Sequence, residues 1–417
     1  MSVPKVSNTL DGYRYEWPEG IYIEATRIKQ HTDGRVTGEI KIQKSGEDKN
    51  KHLHQAQFNF SSTSSRKTLS KTLLERYSSI DWDAVLEQLC VYTIERLREG
   101  DPVTEVWIDD NEISIPPYLI RPYVLKGVPT IIYGEKGVSK STVALYLYLC
   151  LLLPWYDNPL GLDIDSKKSI KTLILDWEQE KNIVEYYARR LRKGHKLPPF
   201  SLYHLHCDTR LADITQKIQR EIYNNDYQCL ILDSLGAACQ GDLLKSETSL
   251  EFFSALRKLK TKDGNSITSI IVAQTAKNTE SKDKSIYGST YFTYYARSIA
   301  EVCKADTSSE NSIDVGLFHR WFNYGKLEEP LGFTIVYQDD LGIRFEPRSI
   351  DMTQFMEKMS NNQKIIEALR QGKKSTDEIQ DLTGIKDNSL RVSLKRLKDK
   401  GIVIKLDDNH WGLKSHE

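Results

Sequence analysis

The stretch Gly134-Glu135-Lys136-Gly137-Val138-Ser139-Lys140-Ser141-Thr142 constrains the fold more than any other part of the chain. An apolar run, 128–133, leads into it and an apolar segment, 143–150, leads out. Buried strand, small-residue loop, then helix is the setting in which G-x-x-x-x-G-K-[ST] cradles phosphate. Backbone N–H groups of such a loop converge on a polyphosphate, and the helix N-terminus adds partial positive charge. Residues 134–142 are therefore expected to hold ATP, with Lys140 on the outer phosphates and the Ser141 hydroxyl on Mg²⁺. Ser139 stands where the pattern has its second glycine, and serine tolerates that backbone geometry less well. A small-residue turn into an ordinary core helix is the plainer reading of the same letters.

Lys+Arg and Asp+Glu both number 58, so no global charge announces a nucleic acid or a membrane; any such contact has to be local. Hydrophobic content of 39% supplies real cores, and 417 residues allow two or three domains. The six cysteines are scattered without a C-x-x-C pair, as buried thiols of a reducing compartment are. The first residues carry no signal peptide, and the longest apolar stretch, 143–155, is too short for a bilayer. A cytoplasmic protein without a membrane partner is the expectation.

Three blocks are expected. Residues 1–114 form a small α+β domain: strands over 21–28 and 36–42 around Asp33-Gly34, a third over 56–60, and helices over 67–77 and 82–98. The mixed polar segment 41–54 reads as a solvated loop. Residues 115–350 alternate strands (130–133, 172–175, 202–205, 229–232, 269–273) with helices, including 183–192 and 250–259, the sign of a parallel α/β sheet. Antiparallel strands over 315–318, 333–337 and 343–345 finish it. Residues 358–417 read as three helices and a hairpin, with Ser375 to Glu378 as a capping box. That order resembles a winged helix-turn-helix. Its third helix carries Arg391, Lys395 and Arg396, with Lys386, Lys398 and Lys400 nearby, which would meet duplex DNA; a merely solvated face is the alternative.

Three further strand ends carry acids or an amide in the order an ATPase needs. Leu173-Ile-Leu-Asp-Trp-Glu178 brings Glu178 to the carboxyl edge of a strand, where it could orient or deprotonate a water; Asp176 and Glu180 are its rivals. Cys229-Leu-Ile-Leu-Asp233 is apolar until its carboxylate, and Asp233 would hold Mg²⁺ through water. Gln274 closes the strand after that and could sense the γ-phosphate. An N-cap role is the plain alternative for each acid, and a turn-forming role for the amide.

Taken with Tyr287-Gly-Ser-Thr290, Ala296-Arg297 and Phe318-His-Arg-Trp-Phe-Asn-Tyr-Gly325, these motifs resemble the RecA-fold ATPases of the plasmid RepA hexameric-helicase type. The resemblance covers about 118–345 and leaves the first block out. It implies a RecA-like P-loop core, ATP and Mg²⁺, Glu178 as catalytic glutamate, Gln274 as sensor, and Arg297 as an arginine finger entering a neighbouring subunit. Relatives place a lysine where Trp321 stands here, leaving Arg320 as the nearest substitute cation. A homo-oligomer, a hexamer by that resemblance, would ring single-stranded DNA, with Lys245, Lys277, Lys282 and Lys284 on its phosphates. The function expected is an ATP-dependent nucleic-acid motor or loader in replication or recombination of a mobile element. An ATP-switched regulator or initiator on duplex DNA is the second reading. A protein-interaction platform, docking through the N-terminal block, is the third.

Overall fold

A computed structural model describes the chain apart from residues 1, 10–11, 32, 46–50, 100–102, 104, 106, 108–116, 276–284, 306–308, 310, 326, 349–354, 356–358, 371, 407–409 and 415–417. The chain divides into two compact units, Met1–Ile113 with Gln216–Arg220, and Ser114–Thr215 with Glu221–Glu417.

In the first unit β1 (Lys5–Thr9), β2 (Gly12–Trp17), β3 (Ile21–Gln30), β4 (Val36–Lys44) and β5 (Lys51–Asn59) form an antiparallel meander. Helices α1 (Thr63–Arg76) and α2 (Trp82–Glu99) share its core, where Trp82, Val85 and Leu89 join Tyr15, Trp17 and Ile40. The loop expected over 41–54 is strand on both sides of 46–50. In β4 Val36, Gly38, Ile40 and Ile42 point inward and polar residues outward, so half the strand reads like a loop. Strands β1 and β2 were not foreseen, although Tyr15 and Trp17 of β2 are buried.

The second unit opens with β6 (Tyr118–Arg121), β7 (Val124–Leu125), β8 (Pro129–Gly134), α3 (Lys140–Leu152), β9 (Asp163–Ile164) and β10 (Thr172–Asp176). It continues through α4 (Lys181–His195), β11 (His204–His206), α5 (Leu211–Asn225), β12 (Cys229–Asp233), α6 (Leu235–Cys239), α7 (Ser246–Lys258) and β13 (Thr268–Gln274). Next come α8 (Tyr291–Tyr295), β14 (Ser298–Lys304), β15 (Ser312–Phe322), β16 (Leu331–Tyr337) and β17 (Ile343–Pro347). Among the described residues its large sheet runs β11-β10-β12-β13-β8-β14-β15-β16-β17. The first six strands are parallel, and β15, β16 and β17 add antiparallel pairs. All five residues of β10 and of β12 are buried, as expected of parallel strands covered on both faces. Strand β14 was missed because its sequence hides a charge: Glu301 is buried and pairs with Arg320 of β15 at 2.7 Å.

The tail comprises α9 (Asn361–Arg370), β18 (Lys374–Ser375), α10 (Thr376–Thr383), α11 (Asp387–Asp399), β19 (Val403–Lys405) and β20 (His410–Leu413). Its helices pack through Ile365, Leu369, Ile379, Leu390 and Leu394, and β18-β20-β19 form a small antiparallel sheet. The capping box is present: the Ser375 hydroxyl accepts from Glu378 N–H at 3.2 Å, and the Glu378 carboxylate accepts from Ser375 N–H at 2.6 Å. All six cysteines are buried free thiols. No helix among the described residues is long and apolar enough to cross a membrane.

Candidate nucleotide site

The loop from β8 to α3 is set by packing on both sides. Helix α3 is buried from Thr142 to Leu151, so it cannot swing, and its first turn is held against the carboxyl ends of the strands. Gly134 is required by close approach: a Cβ there would lie 2.4 Å from the Val302 carbonyl of β14. Gly137 has φ +82°. Ser139, the N-cap of α3, sits in the left-handed region at φ 65°, ψ 31°. The serine therefore adopts the conformation that glycine would supply, and its hydroxyl lies 3.3 Å from the Tyr337 hydroxyl.

A cleft of about 780 Å³ opens over this loop. Lys140, Ser141, Asp233, Glu178 and Gln274 all line it, brought together from four separate strand ends. Lys140 Nζ donates to the Glu135 carbonyl at 2.7 Å. Burial pulls the Lys140 ammonium below its usual range, while the Asp233, Glu178 and Glu135 carboxylates push it back up. Burial raises the Asp233 carboxyl to about 7; a hydrogen bond with Ser141 and the Lys140 charge oppose this, and Asp176 and Glu178 add to it.

The two rivals of Glu178 have other engagements. Asp176 Oδ1 accepts from the backbone N–H groups of Glu178 and Gln179, both at 2.8 Å, and so brackets the turn after β10. Glu180 is the N-cap of α4 and lies 3.8 Å from His206 Nε2. The Glu178 carboxylate instead accepts from the Ser234 hydroxyl inside the cleft. Gln274 ends β13 in register with Gly134, and its carbonyl accepts from Tyr287 N–H at 2.8 Å.

Arg297 is not brought to this cleft within one chain. Its N–H donates to the Pro129 carbonyl at 3.1 Å, at the amino end of β8, whereas the phosphate loop leaves the carboxyl end. The six residues of β8 separate the two by about 16 Å at the usual strand rise. Arg320 is held by Glu301, and Trp321 Nε1 donates to Asn323 Oδ1 at 2.6 Å. Lys245 is the exposed N-cap of α7, in a loop whose Leu243 carbonyl accepts from Ser289 N–H at 2.7 Å. Lys277, Lys282 and Lys284 lie outside the described residues. On α11, Arg391, Lys395 and Arg396 are exposed, with Arg391 Nε 2.8 Å from Asp387.

The sequence reading missed Ser234, Tyr187 and Tyr337, which also line the cleft. Ser234 was visible beside Asp233. Tyr337 lies 198 positions from Ser139, at the end of β16, and only the assembled sheet joins them.

The donor set fits Mg²⁺. The Ser141 hydroxyl and Asp233 carboxylate are hard oxygens hydrogen-bonded to each other, and no cluster of three His, Cys, Asp or Glu among the described residues would cage a metal by itself. Mg²⁺ commonly takes one or two protein oxygens and completes its shell with phosphate and water.

Over residues 93–280 the chain matches a family described as an AAA domain. Among solved structures, a KaiC-like protein from the hyperthermophilic archaeon Pyrococcus horikoshii is similar at 15% identity, over 56% of this chain and 96% of that one, with a TM-score of 0.37. No curated protein matches the sequence. The match over 93–280 and the loop lysine, acids and amide gathered at one edge of a mixed α/β sheet support a P-loop ATPase core for the central region.

Proposed function

We propose that the chain is an ATP-driven nucleic-acid motor or loader of the RepA hexameric-helicase kind, acting as a ring around single-stranded DNA. The observation that carries this reading is the join between the cleft and an exposed aromatic surface. The Gln274 side chain lines the cleft, and its backbone holds Tyr287. Tyr287, Tyr291 and Tyr294 are 43%, 40% and 59% exposed, and the adjoining Ser289 is bonded to the loop that carries Lys245. Exposed rings beside a cation are what unpaired bases stack upon, with little preference for sequence.

In this reading Lys140 and the loop amides hold the triphosphate, and Ser141 with Asp233 would hold Mg²⁺. The ion supplies charge neutralisation for the phosphates when bound. Glu178 accepts a proton from, or orients, the attacking water; its carboxylate is already fixed by Ser234. Gln274 reports the state of the terminal phosphate to Tyr287. Arg297, remote from its own cleft, completes the site of a neighbouring copy and stabilises charge on the transferred phosphoryl group.

The second reading, an ATP-switched regulator on duplex DNA, is favoured by the exposed basic face of α11 in a tail of winged-helix layout. A strand-displacement assay separates the two. ATP-driven unwinding by wild type and none by Lys140→Ala supports the motor. ATP-modulated binding of a specific duplex without unwinding supports the regulator.

A further inference from the structure

Ser234 occupies a place where a serine ordinarily does something else. It is the N-cap residue of α6, with extended φ −124°, ψ 167°, and such a side chain usually accepts a backbone N–H of the first turn. Here it makes no cap hydrogen bond. Its hydroxyl, buried at 4% exposure, points the other way and donates to Glu178 Oε1.

The backbone of Glu178 is fixed independently. Its N–H donates to Asp176 Oδ1 at 2.8 Å. The preceding Trp177 donates its N–H to the Asp233 carbonyl at 2.8 Å and its indole Nε1–H to the Thr209 carbonyl at 2.7 Å. The main chain of the turn is thus tied to the end of β12, and the freedom left to Glu178 is in its own side-chain torsions. A glutamate has three of these, and losing a near-attack orientation by about 1 Å can cost about a hundredfold in rate.

We propose that Ser234 is the positioning residue for the water-activating glutamate: its hydroxyl fixes one carboxylate oxygen of Glu178, leaving the other to meet the attacking water. The inference rests on the reading of Glu178 as that group. A donor that follows Asp233 directly in the chain keeps the carboxylate in step with the end of β12. Because the hydroxyl caps nothing, removing it leaves the amides of α6 as they were.

The test is steady-state ATP hydrolysis by the full chain, as wild type, Ser234→Ala, Ser234→Thr and Glu178→Gln, with ADP binding to each measured by calorimetry. Expected is a fall in kcat of about tenfold to a hundredfold for Ser234→Ala, with KM for ATP and Kd for ADP within about twofold. Ser234→Thr, which keeps the hydroxyl, recovers most of kcat. Should Ser234→Ala lose ADP binding through misfolding, Ser234→Cys takes its place, since a thiol keeps the volume but donates weakly. Wild-type kcat in Ser234→Ala with an inactive Glu178→Gln overturns the positioning role alone. A parallel loss of kcat and affinity that threonine does not repair also overturns it, as a packing effect. Normal turnover by Glu178→Gln overturns the underlying assignment of Glu178.

Discussion

The left-handed Ser139 gives a stability prediction whose sign is the reverse of the usual one. At a position of ordinary backbone geometry, alanine is more stabilising than glycine by about 0.4–1 kcal/mol, because glycine has more freedom to lose. At φ 65°, ψ 31° an L-residue carries a steric penalty of about 1–2 kcal/mol that glycine escapes. Setting these against each other leaves Ser139→Gly more stable than Ser139→Ala by about 0.5–1 kcal/mol. Both substitutions remove the 3.3 Å contact with Tyr337, so that loss cancels in the comparison. For a domain of this size the difference corresponds to about 1–4 °C in Tm. Thermal and urea unfolding of the two variants side by side measures it. Ser139→Gly is also expected to bind ADP at least as tightly as wild type, since nothing of the cradle's amide geometry depends on the serine Cβ. An alanine variant as stable as the glycine variant, or more so, would refute the left-handed assignment and with it the claim that Ser139 stands in for glycine.

Three more outcomes are expected. In the proposed ring, Arg297→Ala and Lys140→Ala chains, each inactive alone, are expected to recover hydrolysis when mixed, because an intact loop and an intact Arg297 would meet at about a quarter of randomly assembled interfaces; no recovery on mixing would place Arg297 outside the reaction. Stability should fall as pH drops from about 6.5 toward 4, because burial holds His195 and His319 at about 4, and each is neutral in the fold. Below the unfolded histidine value the unfolded chain binds more protons, so each site loses up to about 3 kcal/mol across that window. His319→Gln, measured by urea midpoints at pH 7 and pH 4.5, should show a smaller pH difference than wild type. Gly134→Ala drives a Cβ to 2.4 Å from the Val302 carbonyl and should cost about 1–3 kcal/mol, seen as a lowered Tm; an unchanged Tm would mean β14 does not pack so closely.

The parts legible in the sequence are those whose physics is local. A phosphate loop needs a fixed run of letters between an apolar strand and an apolar helix, so residues 134–142 could be read directly. Strands β10, β12 and β13 announced themselves because both faces are buried and an apolar run in each, 173–175, 229–232 and 270–273, stops at a polar residue. The capping box of the tail was legible for the same reason, its two partners being three residues apart. Strand β14 was not, since Glu301 looks like a surface residue until Arg320 is set beside it.

Sequence alone determined that a phosphate-loop run and three polar groups at or just past strand ends are present, because backbone geometry and burial dictate those residue types one segment at a time. Only the tertiary structure decided how they are used. Asp176 accepts the turn amides while the Glu178 carboxylate accepts from Ser234, Tyr337 of β16 meets Ser139, and Arg297 lies at the far end of β8. These are relations between strands whose order no local pattern encodes, and strand order is settled by the packing of the whole sheet.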